Sequence, residues 1–118
     1  MAKVVIHLFH ADDDSLAAGS HIAERVREAA GDSGVELEVY CFGPAQGALG
    51  DATENPVRVE YNHQIDELVA AGVPVNVCLN AAHAAGSEEM LSARGIGTQY
   101  ARDAYIRWAL EGAAVLNF

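Results

Sequence analysis

Short apolar segments alternate with longer amphipathic segments along this chain. The short segments are rich in β-branched residues and end at polar or glycine-containing stretches, as strands do. They predict strands at 3–9, 35–42, 73–79 and 113–118. The longer segments carry apolar residues at helical spacing between helix-start and helix-stop signals. They predict helices at 16–30, from Arg58 to about residue 70, from Ser87 to about Gly95, and from about Thr98 to Glu111.

This order of strands and helices predicts an α/β sandwich with a mostly parallel sheet. Sites in such folds collect at the carboxyl ends of the strands, where loops meet helix N-termini. Three predicted loops lie at such ends, at 9–15, 43–56 and 79–87. Candidate chemistry is therefore expected in these three loops.

The strand periodicity separates the two cysteines of the chain. In the second strand, Cys41 alternates in phase with three apolar residues, Val35, Leu37 and Val39. In the third strand, Cys78 lies opposite the valines and in phase with Asn76 and Asn80. We therefore expect Cys41 to lie in the core, where free cysteines usually pack, and Cys78 to lie on a more polar and accessible face.

Composition and charge exclude several classes of function. The 118 residues are 51% hydrophobic and 20% charged, which predicts one compact domain over 1–118. The net charge of −10 makes nucleic acids and anionic membranes poor partners. The two cysteines, together with the lack of a signal peptide or membrane-spanning apolar segment, predict a reducing compartment, the cytoplasm.

The first two loops do not predict a metal or a cofactor. His10 lies beside three aspartates that could ligate a cation, Asp12, Asp13 and Asp14. Adjacent aspartates at a helix start are more typical of an N-terminal cap. In the second loop the glycine spacing, G-x-x-x-G-x-x-G, differs from the dinucleotide fingerprint, and no Gly-Lys-Ser/Thr phosphate loop occurs. We predict no bound metal and no cofactor.

Cys78 is the strongest chemical candidate in the sequence. It lies at the predicted carboxyl end of a strand, where unpaired backbone N–H groups of the next segment favour a thiolate. His83, five residues further on, could add a proton acceptor or a cation. Cysteine is also among the most often buried residue types, so Cys78 could simply fill space. The local pattern leaves both alternatives open.

Several stretches of the chain resemble the DsrE/DsrF-like family, which includes the small YchN-like proteins. The matching features are the opening strand KVVIHLF, the second strand ELEVYCFGPA, the helix–strand unit IDELVAAGVPVNVCLNA and the closing segment YARDAYIRWALEGAAVLNF. The most specific part runs from Leu68 to Asn80. The resemblance covers essentially the full length of the chain.

This resemblance implies a flavodoxin-like fold, a three-layer sandwich around a mostly parallel sheet of about five strands. It also implies a homo-oligomer, either a trimer or a hexamer, and a possible sulfurtransferase or sulfur-relay role. In that role Cys78 carries sulfur as a persulfide between a donor and an acceptor protein. Asn80 matches a frequent polar neighbour of the family's cysteine, and we expect His83 and His10 to line the same pocket.

A competing hypothesis is a non-catalytic oligomeric module. In it, the pocket between the three loops binds a small ligand or a metal, and Cys78 only lines that pocket. Apolar and aromatic residues near the carboxyl end indicate either a subunit interface or simple core packing; they are Tyr105, Trp108, Val115, Leu116 and Phe118.

Overall fold

A five-stranded parallel sheet organises the residues that the computed structural model describes, which are 2–50 and 54–118. The strands lie in the order β4-β3-β2-β1-β5, and each pairs in parallel with its neighbours. Their bounds are Ala2–Leu8 for β1, Val35–Cys41 for β2, Val75–Val77 for β3, Gly97–Thr98 for β4 and Ala114–Asn117 for β5. The predicted α/β, flavodoxin-like architecture with a parallel sheet is confirmed.

Helices connect the strands on both faces of the sheet. Their bounds are Asp13–Ala30 for α1, Gly43–Gly47 for α2, Pro56–Ala70 for α3, Leu79–Ala85 for α4, Glu88–Ala93 for α5 and Ala101–Glu111 for α6, with a 3₁₀ turn at Ala48–Gly50. Within the described ranges, none of these helices combines the length and the apolar character that a bilayer crossing requires.

The third strand and the loop after it differ from the sequence prediction. β3 ends at Val77, so Cys78 is not a strand residue, and the predicted loop 79–87 contains helix α4. The segment LNAAHAA forms a helix because alanine, the strongest helix former, supplies four of its seven residues. The segment is too short to show an apolar stripe at helical spacing, which is why the periodicity did not predict it.

Strand β4 was not predicted, because Thr98 was assigned to the last helix. Its two residues, Gly97 and Thr98, pair with Asn76 and Val77 of β3. Gly97 permits this close approach, since a Cβ atom there would lie 2.3 Å from Asn76 Oδ1. The last helix therefore begins later than expected, at Ala101.

The first face of the sheet, covered by α1 and α3, holds the larger core. The strand residues that it buries are Ile6, Leu8, Leu37, Val39, Cys41, Val75 and Val77. Cys41 is completely buried, and the Tyr61 hydroxyl lies 3.4 Å from its sulfur. Burial raises the pKa of the Cys41 thiol to about 12. The predicted core position of Cys41 is confirmed, and this thiol is not ionised near neutral pH.

The second face of the sheet is covered by α6 and holds a smaller core. Val5, Tyr40 and Cys78 pack there with Ala104 and Trp108 of the helix. Cys78 thus lies on the opposite side of the sheet from Cys41, as the alternation predicted. Its environment is more enclosed than expected, because only 6% of the residue is exposed.

The second face also contains a buried ion cluster that fastens α6 to the sheet. Glu38, only 2% exposed, accepts hydrogen bonds from both terminal nitrogens of Arg107, at 2.6 and 2.9 Å. Trp108 Nε1 donates to the same carboxylate at 2.9 Å and Lys3 Nζ at 3.2 Å. Burial alone would raise the pKa of Glu38, but Arg107, Trp108 and Lys3 outweigh it and lower that pKa to about 2.

Candidate functional site

Cys78 is the N-cap residue of helix α4, directly after β3. Its backbone is extended, with φ −70° and ψ 123°, and its carbonyl accepts the first helical hydrogen bond from Ala82 N–H at 3.0 Å. An N-cap side chain lies beside the free N–H groups of the second and third helical residues. In α4 these residues are Asn80 and Ala81. Cys78 therefore occupies the N-cap position, although its side chain makes no capping hydrogen bond in α4.

A second helix N-terminus reaches the same thiol because β4 lies beside β3. Gln99 N–H donates to Val77 O at 2.9 Å, and Leu79 N–H donates to Gln99 O at 3.3 Å. These bonds hold the start of α6 next to the start of α4. Ala101, the first residue of α6, packs against the buried cluster that contains Cys78, as does Ala81 of α4. The starts of two helices thus lie beside Cys78.

The electrostatic balance at Cys78 favours the thiolate. Burial opposes ionisation and by itself raises the pKa of the thiol. The backbone N–H groups of Ala81, Ala101 and Asn80 act in the opposite direction, as does the Tyr40 hydroxyl. Together they lower the pKa of Cys78 below its ordinary value. At Cys41 the balance is opposite, because burial outweighs the hydrogen bond from the Tyr61 hydroxyl and the charge of Arg94.

The peptide of Cys78 is held by the side chain of Gln46 in α2. Gln46 Nε2 donates to Cys78 O at 3.0 Å, and Cys78 N–H donates to Gln46 Oε1 at 3.2 Å. Gln46 is 7% exposed, so both bonds are shielded from water. The sequence analysis did not identify Gln46, because it lies in a glycine-rich loop with no apparent motif.

An open depression of about 430 Å³ leads to the sulfur. It is lined by Cys78, Asn80, Tyr100, Ala101 and Arg102. The Arg102 guanidinium carbon lies 5.2 Å from the centre of the Tyr100 ring, and Arg102 Nε lies 3.4 Å from Asp103 Oδ1, so the lining includes a cation that is paired with a carboxylate. Because only 6% of Cys78 is exposed, a small sulfur group fits this access better than a bulky one.

Of the three predicted neighbours of Cys78, only Asn80 lines this depression. His83 points elsewhere: its side chain is 82% exposed, and its Nδ1 lies 2.7 Å from Glu88 Oε1. His10 is exposed and packs its ring against Phe9, with centroids 5.2 Å apart. The expectation that both histidines line the Cys78 pocket is wrong. The start of α4 at Leu79 places His83 on a solvent-facing turn, and His10 follows a different strand.

The aspartates after β1 act as a helix cap, as predicted. Ser15 N–H donates to Asp12 Oδ2 at 3.1 Å, which makes Asp12 the N-cap of α1. Asn55 Nδ2 donates to Asp13 Oδ1 at 3.3 Å. Across residues 2–50 and 54–118, no three His, Cys, Asp or Glu side chains are grouped as metal ligands would be.

Two further residues of the site were missed for identifiable reasons. Tyr40 alternates with Cys41 along β2, but its place near Cys78 follows from the β2–β3 pairing, which periodicity does not reveal. Ala101 contributes only its backbone, and its place depends on β4, a strand of two residues. A glycine on each side of Ile96 was the only signal for that strand.

Comparisons with solved structures identify proteins that share this fold. The crystal structure of the YchN protein from E. coli matches with a TM-score of 0.77 at 22% sequence identity, covering 100% of both chains. A protein of unknown function from Methanobacterium thermoautotrophicum matches with a TM-score of 0.73 at 22% identity, again over 100% of both chains. A conserved protein of unknown function from Bacteroides thetaiotaomicron matches with a TM-score of 0.73 at 14% identity, over 98% of this chain and 94% of that one.

Sequence comparisons add no closer assignment. No protein-family model matches the chain, and no curated protein matches it. At identities of 14–22% the structural likeness bears on the fold. These likenesses show that the chain shares the fold of the YchN protein.

Proposed function

We propose that this protein is a DsrE-like sulfur carrier, in which Cys78 accepts sulfur as a persulfide and passes it to a partner thiol. The observation that carries the proposal is the position of Cys78 beside the first residues of α4 and α6, whose backbone N–H groups lower the pKa of its thiol. Thiol–disulfide and persulfide exchange require a thiolate, and these N–H groups favour one. They also provide donors for the negative charge of a terminal persulfide sulfur.

The proposed loading step is a simple exchange at sulfur. The Cys78 thiolate attacks the outer sulfur of a donor persulfide, R–S–SH, and forms a new S–S bond. The donor S–S bond breaks, and its electron pair leaves with the inner sulfur, which takes up the proton as R–SH. No external oxidant or reductant is needed. Delivery reverses the roles, since an acceptor thiolate then attacks the outer sulfur on Cys78.

A single thiol suffices for this chemistry. Cys41 and Cys78 lie on opposite faces of the sheet, and both are free thiols. An intramolecular dithiol cycle is therefore not part of the proposal. A carrier of this kind works with reduced thiols and suits a reducing compartment such as the cytoplasm.

The ionisation of Cys78 can be measured by alkylation. With iodoacetamide, we expect Cys78 to react with a pH midpoint below the ordinary cysteine value of about 8.5, because two helix N-termini favour its thiolate. Cys41 is expected to stay unmodified in the folded protein, since it is fully buried. Peptide mass spectrometry over a pH series gives the rate at each thiol. A Cys78 midpoint at or above about 8.5 contradicts the proposed activation.

A second candidate function follows from the depression itself. Its volume of about 430 Å³ and the cation in its lining suit a small anionic ligand, with Cys78 lining the site without reacting. Native mass spectrometry of the purified protein distinguishes the two functions. A stoichiometric co-purified small molecule that is retained by Cys78→Ala favours the binding module over the sulfur carrier.

A homo-oligomer, a trimer or a hexamer, is part of the proposal, together with donor and acceptor proteins. β5 is an edge strand whose Leu116 is 45% exposed, and two apolar side chains of α6 are exposed as well, Ile106 at 60% and Leu110 at 84%. Two other interface candidates from the sequence belong to the interior of the chain. Trp108 is only 3% exposed, and Phe118 packs against the larger core.

Charge on the outer face of α6 is expected to prevent this assembly. We expect the wild type to contain three or six chains, and the double variant Ile106→Glu, Leu110→Glu to be monomeric with an unchanged circular dichroism spectrum. The matched control is Val59→Glu on α3, a residue 55% exposed on the other side of the sheet, which should leave the assembly intact. Sedimentation velocity measures the mass. A monomeric wild type would refute this part of the proposal.

A further inference from the structure

We propose that Gln46 is the positioning residue of the Cys78 site, because its buried amide holds the Cys78 peptide where the thiol meets the N-termini of α4 and α6. The inference rests on the proposed function to the extent that Cys78 is taken as the reactive thiol. Gln46 contacts the backbone of Cys78, at its N–H and its carbonyl. It therefore acts through Cys78 and does not take part in the chemistry itself.

The Gln46 amide replaces a missing strand partner. The β2–β3 pairing ends with Cys41 opposite Val77, and the residue after β2, Phe42, is the N-cap of α2, with its N–H directed towards β1, where it donates to Leu8 O at 2.9 Å. Cys78 would otherwise present an N–H and a carbonyl to an absent peptide group. The side-chain amide supplies one acceptor and one donor to these groups, at 3.2 and 3.0 Å. Buried backbone groups rarely remain unpaired, so the Cys78 N–H needs a partner here, and the Gln46 side chain provides it.

Helix α2 is itself held firmly, which makes the Gln46 amide a rigid support. Tyr61 Oη donates to Ala45 O at 2.8 Å, and Ala45 N–H donates to Phe9 O at 2.9 Å. The turn into α2 uses Gly43 at φ +59°, where a Cβ atom would lie 2.4 Å from Phe9 Cε2. Ala45, the residue before Gln46, is therefore held at both its N–H and its carbonyl, and the turn that leads into it is held by the contact between Gly43 and Phe9.

The Gln46 amide determines where the Cys78 thiol points. The Cys78 carbonyl also accepts a hydrogen bond from Ala82 N–H at 3.0 Å, whereas the Cys78 N–H donates to Gln46 Oε1. Without the Gln46 amide, the Cys78 N–H loses its partner, and the peptide between Val77 and Cys78 keeps only the bond from Gln99 N–H to Val77 O at 2.9 Å. The Cys78 end of that peptide is then less restrained, and the sulfur moves away from the starts of α4 and α6. Precise placement of this kind is what a supporting residue contributes to a reactive group.

The test compares Gln46→Met with a matched variant on α3. Methionine keeps the length and removes both hydrogen bonds, so we expect the pH midpoint of Cys78 alkylation to rise by about one unit and the rate at neutral pH to fall about tenfold. The control is Asn62→Leu, which removes a half-buried side-chain amide that donates to Ala48 O at 3.0 Å, next to α2. Its alkylation profile should match the wild type even if its stability falls.

The possible outcomes separate this inference from the proposed function. A wild-type midpoint at the ordinary cysteine value overturns the proposed function, whatever Gln46 does. A lowered midpoint that is the same in wild type and Gln46→Met overturns the role of Gln46 alone. Hydrogen exchange in the wild type provides a measurement independent of variant folding: the Cys78 N–H should exchange as slowly as the amides of β2. Rapid exchange of that N–H also overturns the inference.

Discussion

Cys78→Ser is expected to abolish persulfide loading. After incubation with glutathione persulfide and removal of the donor, the wild type should gain the mass of one sulfur atom per chain in intact-protein mass spectrometry, and the variant should gain none. The physical reason is that serine at position 78 keeps the cap geometry but does not ionise near neutral pH, so it cannot attack the donor sulfur. Peptide mapping should place the added sulfur on Cys78.

The matched control for this experiment is Cys41→Ala. Cys41 is fully buried on the opposite face, and the Tyr61 hydroxyl retains its bond to Ala45 O at 2.8 Å when the thiol is removed. Loading should therefore remain at the wild-type level. Equal sulfur addition to wild type and Cys78→Ser would falsify the carrier function, and so would no addition to the wild type when the donor is shown to be active.

Glu38→Gln is expected to lower the free energy of unfolding by about 3 kcal/mol. Breaking a buried ion pair by removing one partner typically costs about 3–5 kcal/mol. We expect a cost near the lower end of this range, because Lys3 and Arg107 both keep a second carboxylate partner. This partner is Glu111, at 2.9 Å from Lys3 and 3.1 Å from Arg107. Urea unfolding at neutral pH gives the value. Glu36→Gln on the same strand is the control, since Glu36 is exposed and its substitution should cost less than about 0.5 kcal/mol.

The same cluster predicts how stability depends on pH. The pKa of Glu38 is lowered from 4.5 to about 2 in the folded chain, so its contribution is complete above the unfolded value of 4.5. It is lost as the pH falls from about 4.5 towards about 2. Unfolding curves at several acidic pH values should therefore show wild type and Glu38→Gln converging in that window. Parallel curves, with a constant difference, would contradict the role of the Glu38 carboxylate.

Local sequence patterns predicted the parts of the fold that depend on short spacings. Strand alternation placed Cys41 and Cys78 on opposite faces, because successive side chains of a strand point to opposite sides whatever the strand pairs with. The aspartates before α1 predicted its cap, since capping involves residues within one turn. The parallel sheet followed from the order of strands and helices.

The same patterns failed where a short element had too few residues to show a period. Helix α4 was taken for a loop, and β4 was not recognised, so Cys78 was assigned to a strand and His83 to its pocket. The alternation of β2 is consistent with Glu38 on the second face, but it does not indicate that this carboxylate is buried. Its burial depends on Arg107 and Trp108, which lie 69 and 70 residues away along the chain.

The sequence alone determined the class of fold, the core position of Cys41 and the choice of Cys78 as the candidate thiol. Only the tertiary structure decided what surrounds that thiol. The pairing of β3 with β4 brings the start of α6 to Cys78, and the turn after β2 brings the Gln46 amide to its peptide. These partners come from separate parts of the chain and contribute backbone N–H groups or a single amide. Such groups have no characteristic pattern in sequence, because the strand pairing alone sets their distance from the sulfur.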